Sequence, residues 1–105
     1  MRMGSAKRKR LRRAGWRVGD VREYLGLSPA EAAIVEIRAA LAVALRRERL
    51  ARGLSQAALA ARLGSSQSRV AKMEAGDGTV SLDLLIRSLL ATGSKRRDIA
   101  ESIVA

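Results

Sequence analysis

Four polar side chains, Gln67, Ser68, Arg69 and Lys72, crowd a short stretch whose apolar members are Val70 and Met73. At helical spacing Val70, Met73 and Glu74 share one face, and Met73 reads as core filler. Ser68, Lys72 and Ala75 take the opposite face, flanked by Arg69 and Ala71, with Gln67 at the N-terminal tip. A primary amide can pair in bidentate fashion with adenine. An ammonium can donate to guanine O6/N7 or to a phosphate, and a hydroxyl can do either job. The chemistry is therefore hydrogen bonding to base edges by a helix that fits the major groove. The plainer alternative is that Gln67 and Ser68 extend a helix cap while Arg69 and Lys72 form a solvated face.

Other chemistries are excluded by residue type. The 105 residues contain no His and no Cys, which removes an imidazole base, a thiolate nucleophile, a disulfide framework and the usual zinc ligands. The ten acids are scattered over helices, and no glycine spacing matches a phosphate-cradling nucleotide loop. No enzyme, metal or cofactor is expected. No apolar run approaches the roughly 18–20 residues of a membrane span, and the basic start leads into no apolar signal region. The expected setting is cytoplasmic.

The elements that would hold these side chains are punctuated by Ser and Gly. Ser28-Pro29-Ala30-Glu31 is a capping box. It opens a long helix with Ile34, Ile37, Leu41 and Leu45 as its stripe, running to about Arg52 before Gly53. Ser55 then caps Gln56–Leu63, stopped by Gly64; Ser66 caps Gln67–Ala75, stopped by Gly76; Ser81 caps Leu82–Thr92, stopped by Gly93; and Ser94 caps Lys95–Val104. A weaker helix, capped by Asp20 and stopped at Gly26, lies within 16–27. Nothing alternates like a strand, so the class is all-α. Aromatics are 2%, so Leu, Ala, Val and Ile must fill the core.

Charge is concentrated at one end. Residues 1–22 hold nine cations, including Lys7, Arg8, Lys9, Arg10, Arg12 and Arg13, against Asp20 alone, which leaves +8 of the chain's +11 there. The first residues lack an apolar period and read as a disordered arm. Such an arm either serves solubility or lies on phosphates without reading sequence.

The run Leu54-Ser55-Gln56-Ala57-Ala58-Leu59-Ala60-Ala61-Arg62-Leu63-Gly64-Ser65-Ser66-Gln67-Ser68-Arg69-Val70-Ala71-Lys72-Met73-Glu74-Ala75-Gly76 resembles the helix-turn-helix of Cro/cI (Xre) DNA-binding regulators. With the flanking helices the likeness covers residues 41–105. It implies a five-helix Cro/cI-repressor-like domain over 28–105, with a long first helix and the motif at 55–75. Before it stand a basic arm at 1–15 and a short segment at 16–27. It also implies a homodimer on a palindromic operator in double-stranded DNA, acting as a repressor or autorepressor.

Base reading would fall to Gln67, Ser68 and Lys72. The phosphate contacts would be Gln56, whose helix N-terminus suits an anion, with Ser66, Arg69 and Thr79; by the same likeness the Gln56 side chain braces Gln67. Arg49 and Glu74 correspond to a structural ion pair. The chain departs from phage repressors at Asp77, an acid where those proteins present basic or amide groups, leaving Thr79 or Ser81 as that loop's candidates.

A second resemblance rests on Val21–Leu27, Ser28-Pro29-Ala30-Glu31 and Ser81-Leu82-Asp83-Leu84-Leu85-Ile86-Arg87, which are similar to small HigA-type antitoxins. It implies a RelE-like RNase toxin as a further partner, and toxin neutralisation as an alternative main task. A basic tail before such a domain also resembles multiprotein-bridging factors that associate with RNA or ribosomes. Candidate dimer contacts are Leu90, Ile99, Ile103 and Val104, or Ile34 and Ile37.

Overall fold

Ser28 and Glu31 cap each other: Ser28 Oγ accepts from the Glu31 backbone N–H at 3.1 Å, and Glu31 Oε1 accepts from that of Ser28 at 3.4 Å. This reciprocal pairing satisfies two otherwise orphaned donors and starts helix α1, Pro29–Ala51. The computed structural model describes residues 26–105. The expected arm at 1–15 and all but the end of the 16–27 segment lie outside the described residues. The chain divides into two units, Met1–Ile37 and Arg38–Ala105.

Four shorter helices follow: α2 Gln56–Leu63, α3 Gln67–Glu74, α4 Leu82–Thr92 and α5 Arg96–Val104. No strand occurs among the described residues, and the architecture is all-α with five helices. Ser55, Ser66 and Ser81 each accept a backbone N–H three residues on, from Ala58, Arg69 and Leu84 respectively. Between α2 and α3 the chain turns at Gly64, whose φ of 65° lies in the left-handed region. The Ser65 N–H then closes back on Ala60 O at 2.8 Å, so α2 ends abruptly and α3 can cross it.

The last helix starts one residue later than its Ser signal. Ser94 does not cap it; the Ser94 N–H is bound to Leu89 O and belongs to the closing turn of α4. Lys95 is the cap instead: its carbonyl accepts from Ile99, and its N–H donates to Asp98 Oδ2 at 2.7 Å. A carboxylate is the stronger acceptor, so it sets the boundary.

The Arg38–Ala105 unit buries one apolar centre. Leu41 and Leu45 of α1, Leu59 of α2, Val70 and Met73 of α3, and Leu85 of α4 are all 0% exposed. Each buried Leu is worth about 1.5–3 kcal/mol of transfer free energy, so this centre dominates the stability of the unit. Two buried hydroxyls are satisfied locally: Thr92 donates to Ser88 O at 2.6 Å, and Ser88 donates to Met73 Sδ at 3.4 Å. Ile99, an expected dimer contact, is 8% exposed and belongs to this interior, because its side chain lies on the inner face of α5.

At the far end of α4 the Arg52 guanidinium lies where a side chain at Gly93 would be. A Cβ built on Gly93 would overlap the Arg52 guanidinium, and φ there is 116°. Gly93→Ala is therefore expected to lower stability by about 1–2 kcal/mol from left-handed strain, since the tip of the 41%-exposed Arg52 side chain can move aside. A urea titration checks this, and an unchanged midpoint would contradict it.

Candidate nucleic-acid interface

α3 is amphipathic in the literal sense of exposure. Val70 and Met73 are wholly buried, whereas Gln67, Ser68, Arg69 and Lys72 are all exposed. Ser66 caps the helix, and its hydroxyl also lies 3.2 Å from that of Ser68. Gln67 makes no side-chain hydrogen bond among the described residues. The ion pairs there are Arg49–Glu74, Arg52–Glu48 and Arg87–Asp83, so Arg69 and Lys72 are not neutralised by a bonded acid. Ser66, Ser68, Arg69 and Lys72 line one open groove with Thr79 and Ser81, floored by Val80 and Leu84. Ser68 and Lys72 of the candidate base-reading groups, and Ser66, Arg69 and Thr79 of the phosphate candidates, share this surface between α3 and the start of α4, whereas Gln67 and Gln56 do not line it.

The tilt of α3 is fixed at its other end. Arg49 grips Glu74 in bidentate fashion, Nε to Oε2 at 2.6 Å and Nη2 to Oε1 at 2.9 Å. Its remaining Nη1 donates to Leu54 O at 2.9 Å. The two side chains are 11% and 5% exposed, so the pair is largely out of water. Glu74, by accepting these bonds, pushes the Arg49 guanidinium pKa further up, against a smaller opposing effect of burial. One carboxylate therefore ties the last turn of α1 to the last turn of α3.

Gln56 contributes to the same knot. Its Nε2 donates to Glu74 Oε1 at 3.4 Å, and it does not brace Gln67. The reason is electrostatic: an ionised carboxylate outcompetes an amide oxygen for the same donor. The N-terminus of α2 remains solvent-facing, with Ser55 exposed and Gln56 half-buried.

Thr79, an expected phosphate contact, lines the groove with its donors already engaged. Both its donors are committed to Asp77 Oδ1, the N–H at 2.8 Å and the hydroxyl at 2.6 Å. A phosphate oxygen only accepts, so Thr79 in this state has nothing to give it. These two bonds, hydroxyl first, hold the Asp77 carboxyl below its usual range, with smaller contributions from nearby Lys72 and Arg38.

The loop itself is anchored by a residue that sequence reasoning missed. Arg38 of α1 donates from Nε to Val80 O at 3.0 Å, and the Val80 side chain is only 5% exposed. Nothing in the local pattern of α1 distinguishes Arg38 from a solvated arginine. The Asp77-Gly78-Thr79 spacing, by contrast, is a turn signal that could have indicated the bond from the Thr79 hydroxyl to Asp77.

A family model described as helix-turn-helix matches residues 45–97, half of the chain, from the end of α1 into the first turn of α5. The chain belongs to that family, the Cro/cI-type (Xre) helix-turn-helix proteins. It is accordingly a DNA-binding regulator domain, of a class that is generally non-enzymatic. No curated protein and no solved structure matches the chain significantly. Among the described residues no helix is long and apolar enough to cross a membrane.

Proposed function

We propose that the protein is a sequence-specific transcriptional repressor that binds a palindromic operator as a homodimer, with α3 in the major groove. The observation that carries this reading is the division of α3. Its inner face is locked into the core and tied by Glu74 to Arg49, while Gln67, Ser68 and Lys72 face solvent unpaired with any acid. A rigid helix with free donors is what direct readout requires. Ser66, Arg69 and the N-terminus of α2 at Gln56 then hold phosphates and fix register without adding sequence information.

A homodimer belongs to the same reading, because one short helix reads few base pairs and a two-fold partner doubles them. Leu90, Ile103 and Val104, which are 46%, 37% and 79% exposed, are the apolar side chains that α4 and α5 leave for a second copy. The antitoxin alternative receives less support. The Leu82–Leu89 stripe behind that likeness is occupied by packing, with Leu85 and Leu89 in the core.

The test is selection of duplexes from a random pool. Enrichment of an inverted repeat, with half-sites about one helical turn apart, is the expected result. Failure to enrich any sequence would overturn the proposal. Deleting residues 1–14 is expected to flatten the salt dependence of binding, by about 0.9 in log–log slope for each phosphate the arm had neutralised, and to leave the selected sequence unchanged. Loss of sequence preference in that variant would show that the arm takes part in readout.

A further inference from the structure

We propose that Asp77 is a built-in attenuator of duplex binding, a fixed negative charge that also withholds the Thr79 donors from phosphate. The inference rests on the DNA-binding reading above and goes beyond it.

The loop from Asp77 to Val80 is locked in one conformation from three directions. Val80 N–H closes a turn on Asp77 O at 3.0 Å, Val80 is buried, and Arg38 holds its carbonyl. Within that frame Asp77 Oδ1 takes both Thr79 donors. Thr79 lines the same groove as Ser66, Ser68, Arg69 and Lys72, so the carboxylate stands one side chain away from the surface offered to DNA. Asp77 N–H is bound to Lys72 O at 3.1 Å, which ties the acid directly to the end of α3.

Two consequences follow for any phosphate that nears this loop. It meets a carboxylate that the hydrogen bonds keep ionised, and it finds both threonine donors already engaged by that carboxylate. Sequence-independent affinity grows with the number of phosphates that are neutralised, so one opposing charge in the contact surface subtracts from it. The carboxylate also offsets part of the field of Lys72 and Arg38, the two cations that act on it. With +11 on the whole chain, such an offset moderates an otherwise unselective attraction to polyanions.

The experiment uses the full chain, a random duplex pool of about 30 bp as probe, and binding isotherms between roughly 50 and 200 mM salt. Asp77→Asn keeps an oxygen acceptor for Thr79 and removes only the charge. It is expected to bind the pool roughly five- to tenfold tighter near 0.1 M salt, with a log–log salt slope steeper by about 0.9. Asp77→Ala also frees Thr79 and is expected to gain beyond Asp77→Asn. That extra gain should shrink in Asp77→Ala/Thr79→Val, which lacks the hydroxyl but keeps the backbone N–H at position 79, whereas Thr79→Val alone should leave affinity within about twofold.

Unchanged or weaker binding by Asp77→Asn would overturn the inference while the DNA-binding reading stands. Asp77→Ala binding no tighter than Asp77→Asn would overturn the withheld-donor half of it. A wild-type protein that fails to bind the pool even at the lowest salt would overturn both the inference and the reading on which it rests.

Discussion

Glu74→Ala is expected to cost about 3 kcal/mol of folding stability, a large share of the roughly 5–15 kcal/mol that holds a small domain folded. The loss comes less from the missing attraction than from what is left behind. Arg49, with its side chain 11% exposed, would keep only Leu54 O as a partner and would stand as an uncompensated charge in the interior. Gln56 would lose its acceptor as well. Urea titration should show a lower midpoint with little change in slope. Replacing both members, as Arg49→Leu/Glu74→Leu, should cost less than the two single changes added together, because no stranded charge remains. A loss under about 1 kcal/mol for Glu74→Ala, the range of exposed ion pairs, would show that water already screens this pair.

Gln67→Ala and Lys72→Ala carry the next largest expected effects, and those effects fall on recognition instead of folding. Each should relax base preference at one half-site position by about 1–3 kcal/mol, or roughly five- to 150-fold in discrimination. Both side chains are exposed and make no hydrogen bond or ion pair among the described residues, so stability should stay within about 0.5 kcal/mol. Arg69→Ala is the contrast: a phosphate contact should weaken binding to all sequences alike and lower the salt slope by about 0.9. Repeating the duplex selection with each variant separates these outcomes. Uniform weakening by Gln67→Ala and Lys72→Ala together, with the selected sequence unchanged, would remove base reading from α3.

The Asp77 inference fits the same division between reading and holding. On the proposed reading Gln67, Ser68 and Lys72 discriminate, Ser66 and Arg69 attach, and the loop after α3 limits attachment. A regulator with a basic arm gains selectivity when some of its surface declines phosphate. The ratio of specific to non-specific binding, more than affinity alone, decides occupancy in a genome.

Much of this was legible from residue types alone, and the reason is locality. The Ser caps at 55, 66 and 81 and the glycine stops act within one turn of chain, so they fix helix limits wherever the helices later pack. The spacing of Val70 and Met73 against Ser68 and Lys72 likewise determined which side of α3 would face water. What depended on distance through space was not legible. Asp98 at Lys95 and Asp77 at Thr79 act within three residues and lay within reach of sequence reasoning, but Glu74 drew Gln56 away from Gln67, and Arg38 reached Val80 across 42 positions of sequence. In these last two cases one polar group had several candidate partners of similar chemistry. Only the packing of the helices set the distances that let a carboxylate or a buried carbonyl win.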